Sequence, residues 1–320
     1  MSHPQVIVHK LVSDFMCRWS NPQIVLCPQI SLDMNALTHL SRTPGLTQLS
    51  FAPSATFSGT PSDALLFSAL YELKLFSDSL ITILKLLAHL QLPAVKDFVV
   101  EIKNSPSRQN FTSFLAALQQ SGVSDSITRL RLFQFQHPPE NTQSAPVLAA
   151  GDLRSSMALG NLRHLILNLR WNVCLTDSDL LTLASAWPYL EQLFINDDWG
   201  WQTSGGITPD GLVCLLQTCP SIGQLALAID TRNYTNIPPA RSPASLGLAL
   251  PPSFFINVVD SVIDAASVPA IAAFFANIVP STNFTLGAWG RRLNKVYADH
   301  WIDVSFRARE AVAHRSVVPG

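Results

Sequence analysis

A short apolar motif that returns along the chain constrains this sequence more than any other feature. In AWPYLEQLFI, residues Pro188, Leu190, Leu193 and Ile195 fit the spacing P-x-L-x-x-L-x-I. Proline-led copies stand at Pro44, Leu46, Leu49 and Phe51, at Pro93, Val95, Phe98 and Val100, and at Pro220, Ile222, Leu225 and Leu227. Copies without the proline are Leu70, Leu73 and Leu75, then Ile127, Leu130 and Leu132, then Leu162, Leu165 and Leu167. The central positions 49, 73, 98, 130, 165, 193 and 225 are separated by 24, 25, 32, 35, 28 and 32 residues. One match would mean little in a chain that is 48% hydrophobic, but seven at quasi-regular spacing define a repeat. Less regular continuations are Leu246, Leu248 and Leu250, and Phe284 with Leu286.

Alternate residues of a strand face the same side, so each Leu-x-Leu predicts a short strand with two apolar side chains turned inward. Helical patterns fall between these strands. Thr176 followed by Asp179 reads as a capping box, with Leu180, Leu183, Ala184 and Trp187 at helical spacing behind it. Thr208-Pro209 reads as a cap followed by proline at the first helical position, with Leu212, Leu215 and Leu216 as the inner face. Further helices are predicted over 81–90 and 110–120. No single helix–strand unit buries its own apolar face, so neighbours must stack. The expected fold is therefore α/β, a leucine-rich-repeat solenoid (horseshoe) of about 8–9 irregular strand–helix units closed by a C-terminal capping helix. Residues 1–34 form an N-terminal segment, either an incomplete repeat or a cap. The solenoid occupies 35–290, with a proline- and serine-rich loop insertion at about 231–252, and 291–320 supply the basic capping helix and tail.

The units AWPYLEQLFI, TCPSIGQLALAID and SVPAIAAFFANIVP, together with the basic C-terminal helix, resemble the repeat region of fungal (basidiomycete-type) F-box/leucine-rich-repeat proteins. The resemblance covers roughly 35–310 and is strongest from 160 to 290. It implies a non-catalytic module for protein binding, the target-recognition part of an SCF-type ubiquitin ligase. Family members dock the SCF adaptor through an N-terminal F-box. Residues 1–34 carry no Leu-Pro-x-Glu-x-Leu start and no apolar helix pair, so an adaptor is an expected partner only if an F-box is supplied elsewhere. The alternative is a stand-alone repeat scaffold unconnected with ubiquitin transfer.

Other functional classes find little support. The formal net charge is −1, which offers no electrostatic basis for nucleic-acid binding. Arg291, Arg292, Lys295, Arg307, Arg309 and Arg315 form a local basic excess that reads as a solvated helix face. The most apolar stretch, 268–279, is too short to span a bilayer, so no membrane is expected as a partner. The opening residues do not fit a secretory signal, and five irregularly spaced cysteines fit neither a disulfide framework nor a zinc site. The cytoplasm or nucleus follows as the expected compartment. The sequence lacks a nucleophile elbow, HExxH, phosphate loop or dinucleotide fingerprint, and Gly205-Gly206 has no lysine where a P-loop needs one. No catalytic residue, metal or cofactor is expected.

Adjacent carboxylates at Asp197-Asp198 fall at the exit of a repeat strand. They read as a solvated turn, since a metal site would need further oxygen ligands and only Asp230, at the next exit, is comparably placed. Trp199 and Trp201 leave two readings open, as anchors for a partner or as covers over the strand ends. With Leu-x-Leu turned inward, the intervening residues project onto one shared concave face. The expected partner-binding set there is Glu72, Lys74, Asp97, Glu101, Arg129, Arg131, Phe133, His164, Asn168, Arg170, Gln192, Phe194 and Asn196, with Trp199 and Trp201 beside it. A protein target is the expected occupant.

Overall fold

The computed structural model describes residues 4–54, 64–135, 145–202, 206–279, 281–289 and 294–317. Its architecture is mixed α/β, and the chain divides into two compact units. The first comprises Met1–Gln143 with Asp152–Leu162, and the second Ser144–Gly151 with Arg163–Gly320.

The first unit runs α1 (Pro4–Met16), β1 (Ile24–Leu32), α2 (Met34–Ser41), β2 (Gln48–Pro53), β3 (Leu65–Leu66), β4 (Glu72–Ser77), α3 (Leu80–Leu87), β5 (Leu90–Gln91), β6 (Asp97–Ile102), α4 (Arg108–Leu118) and β7 (Arg129–Gln134). Strands β1, β2, β4, β6 and β7 lie side by side in that order, all parallel. Their register aligns the repeat: Val25 pairs with Leu49, Leu49 with Leu73, Leu73 with Phe98 and Phe98 with Leu130. All five of these side chains are buried. The helices turn their own apolar positions to this layer, as with Leu80, Ile83, Leu86 and Leu87 of α3, while Ile81 on the opposite side is exposed.

The second unit runs β8 (Val147–Ala149), β9 (His164–Asn168), β10 (Asn172–Cys174), α5 (Asp177–Ala186), β11 (Gln192–Ile195), α6 (Pro209–Thr218), β12 (Gln224–Ala226), β13 (Phe254–Asn257), α7 (Val268–Ile278), β14 (Phe284–Gly287) and α8 (Lys295–Val317). Here β9, β11, β12, β13 and β14 are parallel neighbours, and Leu165, Leu193, Leu225, Ile256 and Leu286 fall in one register. Trp171, Trp187, Trp201 and Trp301 are among its fully buried side chains.

The motif proline has a local reason. In each proline-led copy it sits at the second position of a four-residue turn. The turn is closed by Leu46 N to Thr43 O, Val95 N to Leu92 O, Leu190 N to Trp187 O and Ile222 N to Cys219 O. Proline presets φ for that position and loses no donor that the turn requires. The turn then delivers its apolar residue into the core just before the strand begins. Helix starts are equally local: Thr176 and Asp179 form the reciprocal capping box, and Thr208 Oγ1 accepts from Gly211 N with Pro209 in the first turn.

Some boundaries differ from expectation. The helix predicted over 81–90 stops at Leu87, because Leu90–Gln91 leaves it as β5 and pairs with β3. The helix predicted over 110–120 begins at Arg108, where Ser107 Oγ accepts from Asn110 N. It continues into a π turn, Gln119–Val123, that ends around Gly122 at φ +86°. Leu246, Leu248 and Leu250 do not form a strand. A 3-10 turn at Ala244–Leu246 leads to Gly247 at φ +69°, and the strand forms later as β13, with Phe254 and Ile256 inward. Pro251-Pro252 supplies no N–H for a ladder at that point, which moves the strand past it. Among the described residues, no helix is long and apolar enough to cross a membrane.

Candidate functional site

The outward-pointing strand residues form transverse rows in each unit. In the first, Gln48, Glu72, Asp97 and Arg129 are paired in register, and so are Ser50, Lys74, Val99 and Arg131. Charges on this face are matched across neighbouring strands, both directly and diagonally. Lys74 Nζ lies 2.8 Å from Glu101 Oε1 and 4.8 Å from the centre of the Phe76 ring. Arg131 Nη2 donates to both Asp97 oxygens, at 2.9 and 2.8 Å, and Arg129 Nε lies 3.2 Å from Asp97 Oδ2. Phe133 pairs with Glu101 in the adjoining register. Asp97 itself is only 3% exposed, so the two guanidinium groups, not the carboxylate, are what a partner would meet.

In the second unit the first row is His164, Gln192, Gln224, Phe255 and Thr285, and the next is Ile166, Phe194, Ala226, Asn257 and Gly287. His164 Nδ1 donates to Gln192 Oε1 at 3.1 Å, and Gln192 Nε2 donates to Gln224 Oε1 at 3.0 Å. Glu191 is bound by Arg163 Nη1 and lies 3.4 Å from His164 Nε2. Phe194, Phe255 and Trp289 follow one another with ring centroids 6.0 and 5.2 Å apart. This face is amide-rich and aromatic, in contrast to the charge lattice of the first unit.

Several residues expected on the concave face are structural instead. Asn196 is 1% exposed and sits at φ +53°. Its Oδ1 accepts from Leu169 N at 2.9 Å and its Nδ2 donates to Trp171 O at 2.7 Å, so it closes the loop leaving β9. Neither Trp199 nor Trp201 is a surface anchor, since both are buried. Trp201 Nε1 donates to Ile195 O at 2.7 Å, while the Asp260 carboxylate accepts from Trp201 N and Gln202 N, at 2.8 Å each. That carboxylate draws the exit loop inward over the strand ends. Trp199 lies under the Arg170 guanidinium, 5.7 Å from its ring centre. Asn168 and Arg170 are half-buried beside this loop.

The aspartates of this region do not assemble an ion site. Among the described residues, no three His, Cys, Asp or Glu side chains are grouped to hold a metal. Asp230 is held by Arg232, through Nε at 2.9 Å and Nη2 at 2.6 Å, and these hydrogen bonds keep its carboxyl below the usual range. The Asp197 carboxyl is pushed up, chiefly by burial and secondarily by the negative charge of Asp198.

The basic helix is also tied to its own chain. Arg315 donates to Ala276 O and Val279 O at 3.0 Å each, meeting the last carbonyls of α7, and Arg309 donates to Phe284 O at 2.9 Å. Arg307 pairs with Asp303 one turn away. Arg291, Arg292 and Gly205 lie outside the described residues.

Comparison with protein-family models gives no match. Comparison with curated proteins likewise gives no significant match.

Phe255 is absent from the expected face because the repeat spacing points to a strand at 246–250, whereas the expected Phe284 and Leu286 do lie in β14 and bring Thr285 to the face between them. The available signal was Phe254-Phe255-Ile256-Asn257, an apolar-x-apolar step ending in asparagine, as Leu193-Phe194-Ile195-Asn196 does.

Proposed function

We propose that this chain is a non-catalytic protein-interaction module of the leucine-rich-repeat solenoid type, and that its partner docks on the outward sheet face of the first unit. The observation that carries this reading is the register of that face. Residues 24 to 32 positions apart in sequence stand side by side, so Glu72, Lys74, Glu101, Arg129 and Arg131 present one continuous pattern of both signs. Such a pattern suits recognition of a complementary protein surface, where charge placement selects the partner and fixes its register. A role as the target-recognition part of an SCF-type ligase rests on the resemblance of the repeat units. A scaffold unconnected with ubiquitin transfer would use the same face.

Affinity purification of the tagged chain from its host, with mass spectrometry of the co-purifying proteins, tests both readings. Recovery of the SCF adaptor and a cullin beside a specific target supports the ligase role. A reproducible partner without the adaptor supports the scaffold. Recovery of no specific protein counts against the binding module itself.

A further inference from the structure

The second unit contains a hollow of about 350 Å3 at the start of its strands, at the small end of the roughly 300–1,000 Å3 typical of small-molecule sites. His164, Gln192, Gln224, Phe255 and Thr285 cross it as one in-register row, and Ser221, Ser253 and Asn283 reach it from the turns that precede β12, β13 and β14.

Three features define what fits. First, the lining is dense in neutral hydrogen-bonding groups: amides from Gln192, Gln224 and Asn283, and hydroxyls from Ser221, Ser253 and Thr285. Its one carboxylate, Glu191, is already bound by Arg163 and faced by His164, so the site selects for no net charge. Second, the side-chain chain from His164 through Gln192 to Gln224 is polarised. Each step uses a donor on one residue and an acceptor on the next, and it ends with Gln224 Nε2, which donates to no other described residue. A ligand oxygen is the natural next acceptor. Third, the neighbour of Gln224 in the row is Phe255, which continues through ring contact to Trp289, itself 43% exposed. Trp289 lies against Gly287, where any Cβ would collide with the indole, so the aromatic shelf is built into the strand.

An extended peptide is a poorer match. Around the hollow, β11, β12 and β13 use their backbone groups in ladders with neighbours on both sides, so strand addition is unavailable at these three; β14 ends the sheet, and at its first residue Arg309 Nη2 already donates to Phe284 O. The lining is best matched by a ligand that carries a dense set of hydroxyl-type groups at its edge and an apolar face for the aromatic shelf. A pyranose ring has that form. We propose that this hollow is a binding site for a neutral saccharide of one or two pyranose units. The ring edge would be held by Gln192, Gln224 and Asn283, and the C–H face would lie on Phe255. The proposal does not depend on the protein-binding face of the first unit.

The test is saturation-transfer-difference NMR on the full chain. Probes are cellobiose, maltose, xylobiose and N,N′-diacetylchitobiose at millimolar concentration, beside a capped, uncharged Asn-Gln-Phe peptide. The expected result is transfer to at least one disaccharide, concentrated on its ring C–H protons. Gln224→Ala, at an exposed position, should weaken that binding at least about fivefold, the loss of roughly one hydrogen bond, with the thermal transition unchanged. Phe255→Leu should abolish the ring-proton signal. The proposal is overturned by no transfer to any of the four sugars, by transfer to the peptide alone, or by sugar binding that survives both substitutions.

Discussion

Asn196 offers the sharpest separation between a surface residue and a structural one. Replacing it with alanine removes both partners of a buried bridge at once, the acceptor for Leu169 N and the donor to Trp171 O. Each of these two hydrogen bonds lost inside the fold costs about 1–3 kcal/mol. Alanine held at φ +53°, which asparagine tolerates, adds about 1 kcal/mol more. The expected loss is therefore about 3–7 kcal/mol. Even the lower figure would reduce the melting temperature by about 6 °C or more in a unit of this size. Asn196→Asp keeps the acceptor but sets a carboxylate oxygen against Trp171 O, so it should be nearly as damaging. Differential scanning calorimetry and urea unfolding give the loss directly. A loss below about 1 kcal/mol for Asn196→Ala, with partner binding weakened, would refute the structural assignment and favour the partner-binding role expected for Asn196 from sequence.

The ion cluster under the first unit's face should respond asymmetrically. Asp97→Asn leaves two partly exposed guanidinium groups that water can serve, at a cost of about 1 kcal/mol. Arg129→Ala combined with Arg131→Ala strands a buried carboxylate and should cost about 3 kcal/mol in urea unfolding, and equal losses would contradict the geometry. Because folding raises the Asp197 carboxyl above its ordinary value, the folded state binds that proton more tightly than the unfolded chain does. Ionised Asp197 thus destabilises at neutral pH, and the penalty vanishes once pH falls below the ordinary carboxylate range. Asp197→Asn should stabilise the protein at pH 7 and lose that advantage under acid conditions, whereas a pH-independent difference would argue against the burial. Gly211→Ala, normally favourable in a helix by about 0.5–1 kcal/mol, should lower the melting temperature here. Its Cβ would displace the Asp177 carboxylate, which accepts from Thr208 N and Oγ1 at the start of α6.

The strands were legible because their information is local. Leu-x-Leu alternates, and the proline ahead of it closes a turn within four residues. Helix caps at Thr176 and Thr208 are local for the same reason. The exit loop after β11 is different, because nothing near Trp201 announces that Asp260, 59 residues later, will accept its N–H and pull it inward. Sequence alone therefore leaves Trp199 and Trp201 open between partner anchors and covers over the strand ends, and in the fold both are buried. The burial of Asp97 is hidden in the same way, since its alternation places it outward and only the closure of Arg129 and Arg131 covers it. The position of β13 was obscured by the Pro- and Ser-rich stretch before it, which breaks the repeat spacing and conceals Phe255. The candidate face was thus readable as a set of positions, whereas its accessible part depended on contacts between distant strands.

If a protein partner docks on the outward sheet face of the first unit, as proposed, one charge exchange there will release it. Lys74→Glu combined with Glu101→Lys keeps two opposite charges on the positions of the native ion pair while inverting the local polarity. Stability should change by no more than about 1 kcal/mol, as for other partly exposed pairs. Affinity capture comparing this double variant with the unaltered chain should show the specific partner lost although the variant folds normally. Undiminished capture of that partner would place the binding surface elsewhere and contradict the account.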